Sequence, residues 1–346
     1  MSDVTASSIG TTRAWPAMVM TAGLGTRLRP LSRLRAKPAF PVAGVPLAGR
    51  ILRWLAAAGV PAAVLNLHHK PATLTAALGD GSAFGLRVRY SWEPRILGSA
   101  GGPARALPLL DATRFFLVNG DTLSDVDLAA MARQHGASGA RVTMALVRNP
   151  DPTHYGGVLV APDGAIIGFS RQGPANQGWH FIGVQVVDAD VFGALDPNQP
   201  ADSVGGCYAD VIASQPGALQ GFLCEAAFHD IGTAGDYLAT SLAFASAEHQ
   251  PGSLIGSGCA IAPGAAVTDS VLWDGVTVDE GSAIQSCVVA DRVHIPRGMR
   301  CERQVIVRAA DHVCQDDTSV VGDLALTPID SRPCQGLPRR ALRRWK

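Results

Sequence analysis

The chain of 346 residues carries 29 basic and 29 acidic side chains, and 47% of its residues are hydrophobic. This hydrophobic content is enough for a sizeable core and excludes a chain that is disordered throughout, and the zero net charge excludes a general attraction to nucleic acid. No apolar run approaches the ~20 residues that a membrane helix requires, so no membrane association is expected.

Strand patterns alternate with helical patterns along the first two thirds of the chain. Residues 1–14 lack a signal-peptide core and predict a flexible tail. The predicted strands span 17–20, 62–67, 86–90 and 115–121, and the predicted helices span 47–59, 71–78 and 102–110. This alternation predicts an α/β domain over 15–248, with a Rossmann-like, mostly parallel sheet and helices on both faces. Further on, Asp163-Gly164 between two apolar runs predicts a hairpin.

The pattern changes after about residue 250. Ile255, Ile261 and Val267 recur every six residues, with glycines between them. Short repeats of this kind predict a left-handed parallel β-helix of a few coils over 252–315, and a small antiparallel β domain is the alternative. A C-terminal extension is expected over 316–346, and its basic end, PRRALRRWK, predicts a solvated tail.

The segment MVMTAGLGTRLRPL leads from an apolar strand into two glycines and two arginines. Ligands of parallel sheets bind at the carboxyl ends of strands, and a glycine-rich turn there exposes backbone N–H groups that bind phosphate. The segment matches neither a Walker A loop nor the dinucleotide-binding fingerprint. With Arg27, Arg29 and Lys37 close behind the turn, it predicts a phosphate site.

Four blocks, found in the right order, resemble one enzyme family. They are AGLGTRLRPLSRLRAKPAFPVAGVPL, EPRILGSAGGPARAL, FFLVNGD and FHDIGTAGDYLATSLA. Together they span about 17–243 and are similar to sugar-1-phosphate nucleotidyltransferases, most of all to mannose-1-phosphate guanylyltransferases. The resemblance implies that a sugar-1-phosphate oxygen attacks the α-phosphorus of a nucleoside triphosphate, which yields a nucleotide sugar and pyrophosphate. It also makes 15–248 the catalytic domain.

The resemblance assigns roles to residues of these blocks. It implies that Arg27, Lys37 and Asp121 are catalytic, and that Asp121 and Asp230 hold Mg²⁺. The nucleotide contacts that it implies are Ala22, Gly23, Gly25, Thr26, Arg27, Glu93, Gly98, Ser99 and Gly101. The chemistry requires cations, because two unit charges of like sign about 4 Å apart repel by about 4 kcal/mol at an effective dielectric of 20, and a helix terminus offers only about half a charge.

The sugar side departs from the family pattern. The chain has FSRQGP at 169–174, where many members have Phe-Val-Glu-Lys-Pro, and FIG at 181–183, where many have Asn-Ala-Gly. Gly156, Arg171 and Gln185 are the predicted sugar-phosphate contacts, and a structural role is expected for His180. The expected substrates are GTP and mannose-1-phosphate. A uridylyl- or thymidylyltransferase acting on glucose-1-phosphate or an amino sugar 1-phosphate stays open.

Other functions were weighed against this prediction. Asp125-Val126-Asp127 is a D-x-D of the kind that holds a metal in nucleotide-sugar glycosyltransferases, but helix capping also explains it. A non-catalytic nucleotide-sugar-binding regulatory subunit is the alternative of another class, and acyl transfer by the β-helix lacks a convincing catalytic histidine.

The remaining expectations concern the surroundings of the protein. Seven cysteines without a C-x-x-C pair predict reduced thiols and a cytoplasmic protein, without disulfides or a structural zinc site. Because such β-helices build subunit interfaces, a homo-oligomer is expected.

Overall fold

A computed structural model describes residues 15–173, 178–250, 252–311 and 317–329. The strands of the first unit are β1 (Ala17–Met20), β2 (Pro41–Val42), β3 (Val45–Pro46), β4 (Ala62–Leu67), β5 (Arg87–Trp92), β6 (Arg114–Asn119), β7 (Thr122–Ser124), β8 (Val142–Arg148), β9 (Gly157–Val160), β10 (Ile166–Ser170), β11 (Trp179–Asp188), β12 (Leu219–Leu223) and β13 (Phe228–Asp230). Its helices are α1 (Leu47–Ala57), α2 (Pro71–Leu78), α3 (Gly98–Leu110), α4 (Leu128–Ser138), α5 (Asp190–Gly193), α6 (Tyr208–Ser214) and α7 (Ala234–Ala247). The predicted strand–helix alternation is therefore confirmed, although the predicted tail 1–14 lies outside the described residues.

The main sheet is mixed. Strands β6, β1, β4 and β5 lie side by side in this order, and all three pairings among them are parallel. Strand β11 pairs antiparallel with both β6 and β8, and the predicted hairpin forms as β9 and β10. The parallel half brings the carboxyl ends of β1, β4 and β6 to one edge, which is where a ligand site is expected.

The second unit is a parallel β-helix. Its strands are β14 (Leu254–Ile255), β15 (Ala260–Ile261), β16 (Ala266–Thr268), β17 (Val271–Leu272), β18 (Thr277–Val278), β19 (Ala283–Gln285), β20 (Val288–Val289), β21 (His294–Ile295), β22 (Arg300–Glu302) and β23 (Gln304–Arg308). They form three parallel ladders, so the small antiparallel domain is excluded for this part of the chain.

The coils of the β-helix are 17 residues long. Leu254 pairs with Val271, and Val271 pairs with Val288. The buried aliphatic residues follow steps of six, six and five, as in the series Leu272, Val278, Ile284 and Val289. The five-residue step interrupts the six-residue period of Ile255, Ile261 and Val267 after the first coil. In that first coil, which stacks on later coils only, Ile255 is 46% exposed.

Two further strands extend the β-helix within the predicted C-terminal extension. They are β24 (Ser319–Val321) and β25 (Leu324–Pro328), and β25 pairs antiparallel with β23. The basic tail lies outside the described residues. Among the residues described, no helix combines the length and the apolar character needed to cross a membrane.

The two units share one hydrophobic core. Phe40, Tyr237 and Trp273 are fully or almost fully buried and belong to one cluster, although Trp273 comes from the β-helix. The ring centroid of Phe40 lies 5.3 Å from that of Tyr237 and 5.0 Å from that of Trp273. The β-helix is therefore packed against the segment that follows the glycine loop.

Candidate active site

The glycine loop leaves the carboxyl end of β1 and turns back at once. Gly25 has a φ of 60°, a left-handed conformation that suits glycine, and its carbonyl accepts a hydrogen bond from the N–H of Leu28 at 2.9 Å. A Cβ at Gly25 would lie 3.2 Å from Cβ of Ser32, so this glycine also permits the close approach of the segment that follows the loop. A Cβ at Gly23 would meet nothing within 4 Å, so Gly23 leaves open space beside the loop.

Lys37 and Asp121 meet across the end of the sheet. Lys37 lies on a short helical turn, Lys37–Ala39, and only 8% of it is exposed. Asp121 follows β6 after Gly120, and its side chain is 39% exposed. The Nζ of Lys37 donates a hydrogen bond to Oδ2 of Asp121 at 2.8 Å. Two residues that are 84 positions apart in the sequence are thus brought together as an ion pair.

Asp230 lies beside Asp121 because β13 pairs antiparallel with β7, with Asp230 opposite Thr122. The N–H of Ile231 donates to the carbonyl oxygen of Asp121 at 3.2 Å. Burial raises the pKa of Asp230, the negative charge of Asp121 raises it further, and Lys37 acts in the opposite direction. Two carboxylates therefore share one cleft, and the neighbouring positive charges offset only part of the effect of burial and repulsion on Asp230.

Arg27 reaches the same cleft from the glycine loop. Its exposed side chain passes over Gly232, where an added Cβ would lie 3.0 Å from the Nη1 atom of Arg27. Burial raises the pKa of Tyr155 to about 12, and the charges of Asp230 and Arg27 also act on this phenol. Arg27, Asp230 and Tyr155 accordingly face one another closely enough to interact electrostatically.

A cavity of about 400 Å³ opens between the glycine loop, the end of β6 and the start of α3. The predicted residues that line it are Ala22, Gly23, Gly25, Thr26, Arg27, Lys37, Glu93, Gly98, Ser99 and Asp121. Each of them comes from one of the first three sequence blocks, which begin at residues 22, 93 and 115.

Glu93 forms the inner support of the cavity. It is completely buried, and its Oε1 accepts a hydrogen bond from Nδ2 of Asn66 at 2.7 Å, while its Oε2 accepts from the N–H of Leu97 at 3.0 Å. The Oδ1 of Asn66 in turn accepts from the N–H of Thr21 at 2.6 Å. The carboxylate thus links the start of the glycine loop to the segment LGSAGG.

The segment LGSAGG forms the first turn of α3 instead of an open loop. The N–H groups of Ala100 and Gly101 both donate to the carbonyl oxygen of Ala201, at 2.9 and 3.2 Å. A Cβ at Gly101 would lie 2.6 Å from the carbonyl oxygen of Gln199, and Gly101 is absent from the cavity lining. Gly101 therefore serves the packing of α3 against 199–203, and the nucleotide contact predicted for it stays a prediction.

Two family models match this chain. One, described as Nucleotidyl transferase, matches residues 16–246, and the other, GlmU-like C-terminal hexapeptide, matches residues 244–323. The first match covers more than half of the chain and contains every residue of the cleft. The chain belongs to the sugar-1-phosphate nucleotidyltransferase family. The predicted family, enzyme class and fold class are thereby confirmed, including the hexapeptide β-helix.

Relatives in this nucleotidyltransferase family differ in substrate. The mannose-1-phosphate guanylyltransferase of Mycobacterium tuberculosis is 31% identical over 260 residues, which are 72% of each chain. The N-acetylmuramate alpha-1-phosphate uridylyltransferase of Neisseria meningitidis serogroup B is 36% identical over 188 residues, which are 54% of this chain and 80% of that one. The crystal structure of HddC from Yersinia pseudotuberculosis has the same fold, with a TM-score of 0.57 at 22% identity over 66% of this chain and 98% of its own.

The three predicted sugar-phosphate contacts of this nucleotidyltransferase lie in different surroundings. Gly156 is exposed next to Tyr155 and therefore lies near Asp230, although it does not line the cavity. Arg171 is exposed just after β10 and is also absent from the lining. Gln185 is 4% exposed, and its Oε1 accepts a hydrogen bond from the Tyr208 hydroxyl at 2.8 Å. The amide oxygen of Gln185 is thus used inside the core, and the sugar-phosphate contact predicted for this residue stays a prediction.

An aromatic cluster near Asp230 was not predicted. The rings of Tyr155 and His180 lie 4.3 Å apart, and that of Phe228 lies 5.8 and 5.2 Å from them. Tyr155 adjoins Gly156 in sequence, which is a signal that could have drawn attention to it. His180 therefore has ring partners on two sides, in line with the structural role expected for it.

Asn66 and Gly232 are further site residues that the sequence analysis missed. Both line the cavity. Asn66 had a usable signal, because it is a polar residue within the apolar run AAVLNL, and a buried amide in a strand needs partners.

The competing D-x-D interpretation finds a structural explanation. The Oδ1 of Asp127 accepts a hydrogen bond from the N–H of Ala130 at 2.9 Å and caps α4, and Oδ1 of Asp125 accepts from the N–H of Ala227 at 2.8 Å. Within the described parts of the chain, no group of three or more His, Cys, Asp or Glu side chains is placed to hold a metal ion. These capping contacts remove the basis for a metal-holding D-x-D.

Proposed function

We propose that the enzyme converts GTP and mannose-1-phosphate into GDP-mannose and pyrophosphate. The support is the similarity to the guanylyltransferase of Mycobacterium tuberculosis. The aligned region is 260 residues long and is therefore longer than the 231 residues that the Nucleotidyl transferase model matches. A phosphate oxygen of mannose-1-phosphate attacks the α-phosphorus, and the bond from that phosphorus to the bridging oxygen of the β-phosphate breaks. Pyrophosphate leaves with the electron pair of that bond.

The convergence of Arg27, Lys37, Asp121 and Asp230 at one cleft is the observation that carries the proposed chemistry. Arg27 would hold the phosphates that leave, since a guanidinium can donate two parallel hydrogen bonds to phosphate oxygens. Lys37 would contact the phosphates at the point of attack once they compete with Asp121 for its ammonium group. Such fixed charges stabilise a transition state most where water is excluded, and Lys37 is 8% exposed.

Asp121 and Asp230 fit a Mg²⁺ ion. Mg²⁺ prefers hard oxygen ligands and is commonly held by one or two carboxylates together with substrate phosphates. Burial and the negative charge of Asp121 raise the pKa of Asp230, and a bound cation would offset both effects. When bound, Mg²⁺ supplies positive charge to the phosphate oxygens. We expect EDTA to abolish activity and Mg²⁺ to restore it.

A second substrate pair has its own support. Identity to the uridylyltransferase of Neisseria meningitidis, 36%, exceeds the identity to the guanylyltransferase, although it extends over fewer residues. The departures at 169–174 and 181–183 also fall on the sugar side of the family pattern. UTP with an amino sugar 1-phosphate is therefore the alternative, followed by UTP or dTTP with glucose-1-phosphate.

A matrix of substrates tests these proposals. Each of GTP, UTP, dTTP and ATP is combined with mannose-, glucose-, N-acetylglucosamine- and N-acetylmuramate-1-phosphate, and pyrophosphate release is measured. The main proposal expects the highest kcat/KM for GTP with mannose-1-phosphate. A maximum in a UTP row would replace it with the alternative, and nucleotide-sugar binding without turnover in any row would favour the regulatory subunit. The expected homo-oligomer and cytoplasmic location remain predictions, the first to be tested by light scattering.

A further inference from the structure

The loop that carries Arg27 and Lys37 is held from outside by the β-helix. Arg35, two positions before Lys37, donates from Nε to Oδ2 of Asp291 at 2.8 Å and from Nη2 to Oδ2 of Asp274 at 2.7 Å. A second bond joins Nη2 to the other oxygen of Asp291. The guanidinium thus grips Asp291 with two nitrogens, a geometry that fixes orientation as well as position.

The two aspartates are a feature of the coil repeat. Asp274 and Asp291 are 17 residues apart, so they occupy the same corner of successive coils, and the N–H of Asp274 donates to Oδ1 of Asp291 at 3.1 Å. Side by side, their charges repel each other. Arg35, whose side chain is 22% exposed, supplies the compensating charge from the other unit.

Trp273 contacts the segment on both sides of Lys37. The guanidinium of Arg35 lies 4.9 Å from its ring centroid, and the ring of Phe40 lies 5.0 Å away. Its Nε1 donates to the Tyr237 hydroxyl at 2.9 Å, and that hydroxyl donates to the carbonyl oxygen of Pro41 at 2.7 Å. The buried indole of Trp273 therefore holds the helical turn of Lys37 from both sides, through Arg35 before it and through Phe40 after it.

We propose that Trp273, Asp274 and Asp291 of the β-helix, acting through Arg35 and Phe40, are positioning residues that set the location of the Lys37 ammonium group at the reacting phosphates. Loops on a catalytic unit have freedom that a rigid neighbour removes, and a misplacement of 1 Å costs a catalyst about a hundredfold. The inference rests on the role of Lys37 in the proposed function, but not on which base or sugar the enzyme takes.

A double-mutant cycle separates positioning from general support of the fold. Arg35→Ala is expected to lower kcat by about 10- to 100-fold, with KM values for both substrates changed by less than about threefold. Arg35→Lys is expected to restore little, because an ammonium group cannot make the paired contact with Asp291. In a Lys37→Met background, Arg35→Ala is expected to cause no further loss, since the group that it positions is already gone.

One measurement and one fallback variant keep the test independent of folding and of substrate identity. Hydrogen exchange over residues 26–40 is expected to accelerate in Arg35→Ala and to stay unchanged in the control Arg297→Ala, which breaks an exposed ion pair with Glu280 inside the β-helix. If Arg35→Ala does not fold, Trp273→Phe, which loses the N–H donated to Tyr237, replaces it and is expected to show the same pattern in weaker form.

Three results would overturn the inference. They are equal losses from Arg35→Ala in the two backgrounds, an unchanged kcat, and an unchanged exchange rate over residues 26–40. Full activity of Lys37→Met would instead reject the role proposed for Lys37 and this inference with it. The assay uses whichever substrate pair gives the highest wild-type rate in the matrix.

Discussion

The ammonium group of Lys37 lies 2.8 Å from Oδ2 of Asp121, so a predicted phosphate-binding cation and a predicted metal ligand are paired with each other. The pair keeps a nearly buried lysine compensated before substrates arrive. In the proposed reaction, substrate phosphates would replace Asp121 as the partner of Lys37, and Asp121 would be left to bind a divalent cation.

Asp121→Asn is expected to lower kcat by more than about 10²–10³-fold, because the amide removes a carboxylate ligand and leaves Lys37 without its counter-charge. Circular dichroism and thermal unfolding should show a folded protein. Asp163→Asn, in the exposed turn between β9 and β10, is the matched control and should retain wild-type activity. A fully active Asp121→Asn enzyme would reject the metal site.

Arg27→Ala is expected to reduce kcat by a factor of about 10²–10³, which corresponds to roughly 2.7–4 kcal/mol of lost transition-state stabilisation. Arg27→Lys should recover only part of this loss, since lysine cannot donate the paired hydrogen bonds. Steady-state kinetics of pyrophosphate release measure both. Arg87→Ala, at the exposed start of β5, should behave as wild type, and an equal effect of Arg27→Ala and Arg87→Ala would contradict the assignment.

Glu93→Gln replaces one of the two carboxylate oxygens with an NH₂ donor. This donor would face the N–H group of either Asn66 or Leu97, so one of the two hydrogen bonds is lost. The expected cost is about 1–3 kcal/mol in the free energy of unfolding. Because Glu93 supports the cavity wall, KM for the nucleoside triphosphate should rise more than kcat falls. Urea unfolding and nucleotide titrations test this, and a variant with unchanged stability would show that the network is dispensable.

His229→Leu is expected to make the stability of the protein less dependent on pH. Burial lowers the pKa of His229 from its ordinary value of 6.5 to about 4, and its Nε2 has no hydrogen-bond partner. Between these values the unfolded chain binds a proton that the folded chain does not. Stability is therefore fully present above about pH 6.5 and falls as the pH drops towards 4, by about 1.4 kcal/mol per unit of pKa difference.

Urea midpoints measured at pH 7 and at pH 5 would test this pH dependence. The difference between them should shrink in His229→Leu and stay at the wild-type value in His294→Leu, which replaces a histidine whose side chain is 62% exposed. An unchanged difference in His229→Leu would mean that other groups set the pH dependence. The lowered pKa values of His135 and His180, which burial also causes, act in the same direction.

Local patterns predicted the parallel half of the sheet, its hairpin and most of the cleft. The apolar strands, the turn at Gly25 and the sequence blocks each depend on residues that are neighbours in the chain. They can therefore be recognised without knowing which segments pack against them. The location of Asp230 beside Asp121 also followed, because the family motifs place both at the same edge. These patterns specify which residues lie at the carboxyl edge of a parallel sheet.

Long-range packing set the limits of prediction. The burial of Gln185 could not be predicted, because the pairing of β11 with β8 shifts in register between Phe181 and Gln185. The packing of Gly101 could not be predicted either, because the segment that contacts it, near Gln199, is about a hundred residues away. Arg35 and Trp273 gave no local signal, since each matters only through the other.

The separation of Arg35 from Asp291, 256 positions along the chain, has a consequence for biosynthesis. Translation delivers the glycine loop first, and it delivers the β-helix corner that binds Arg35 only after the α/β unit. A nascent polypeptide that ends before Asp291 carries all of the family signature and lacks its outer anchor. The glycine loop thus gains this outer anchor only after the whole α/β unit has been translated.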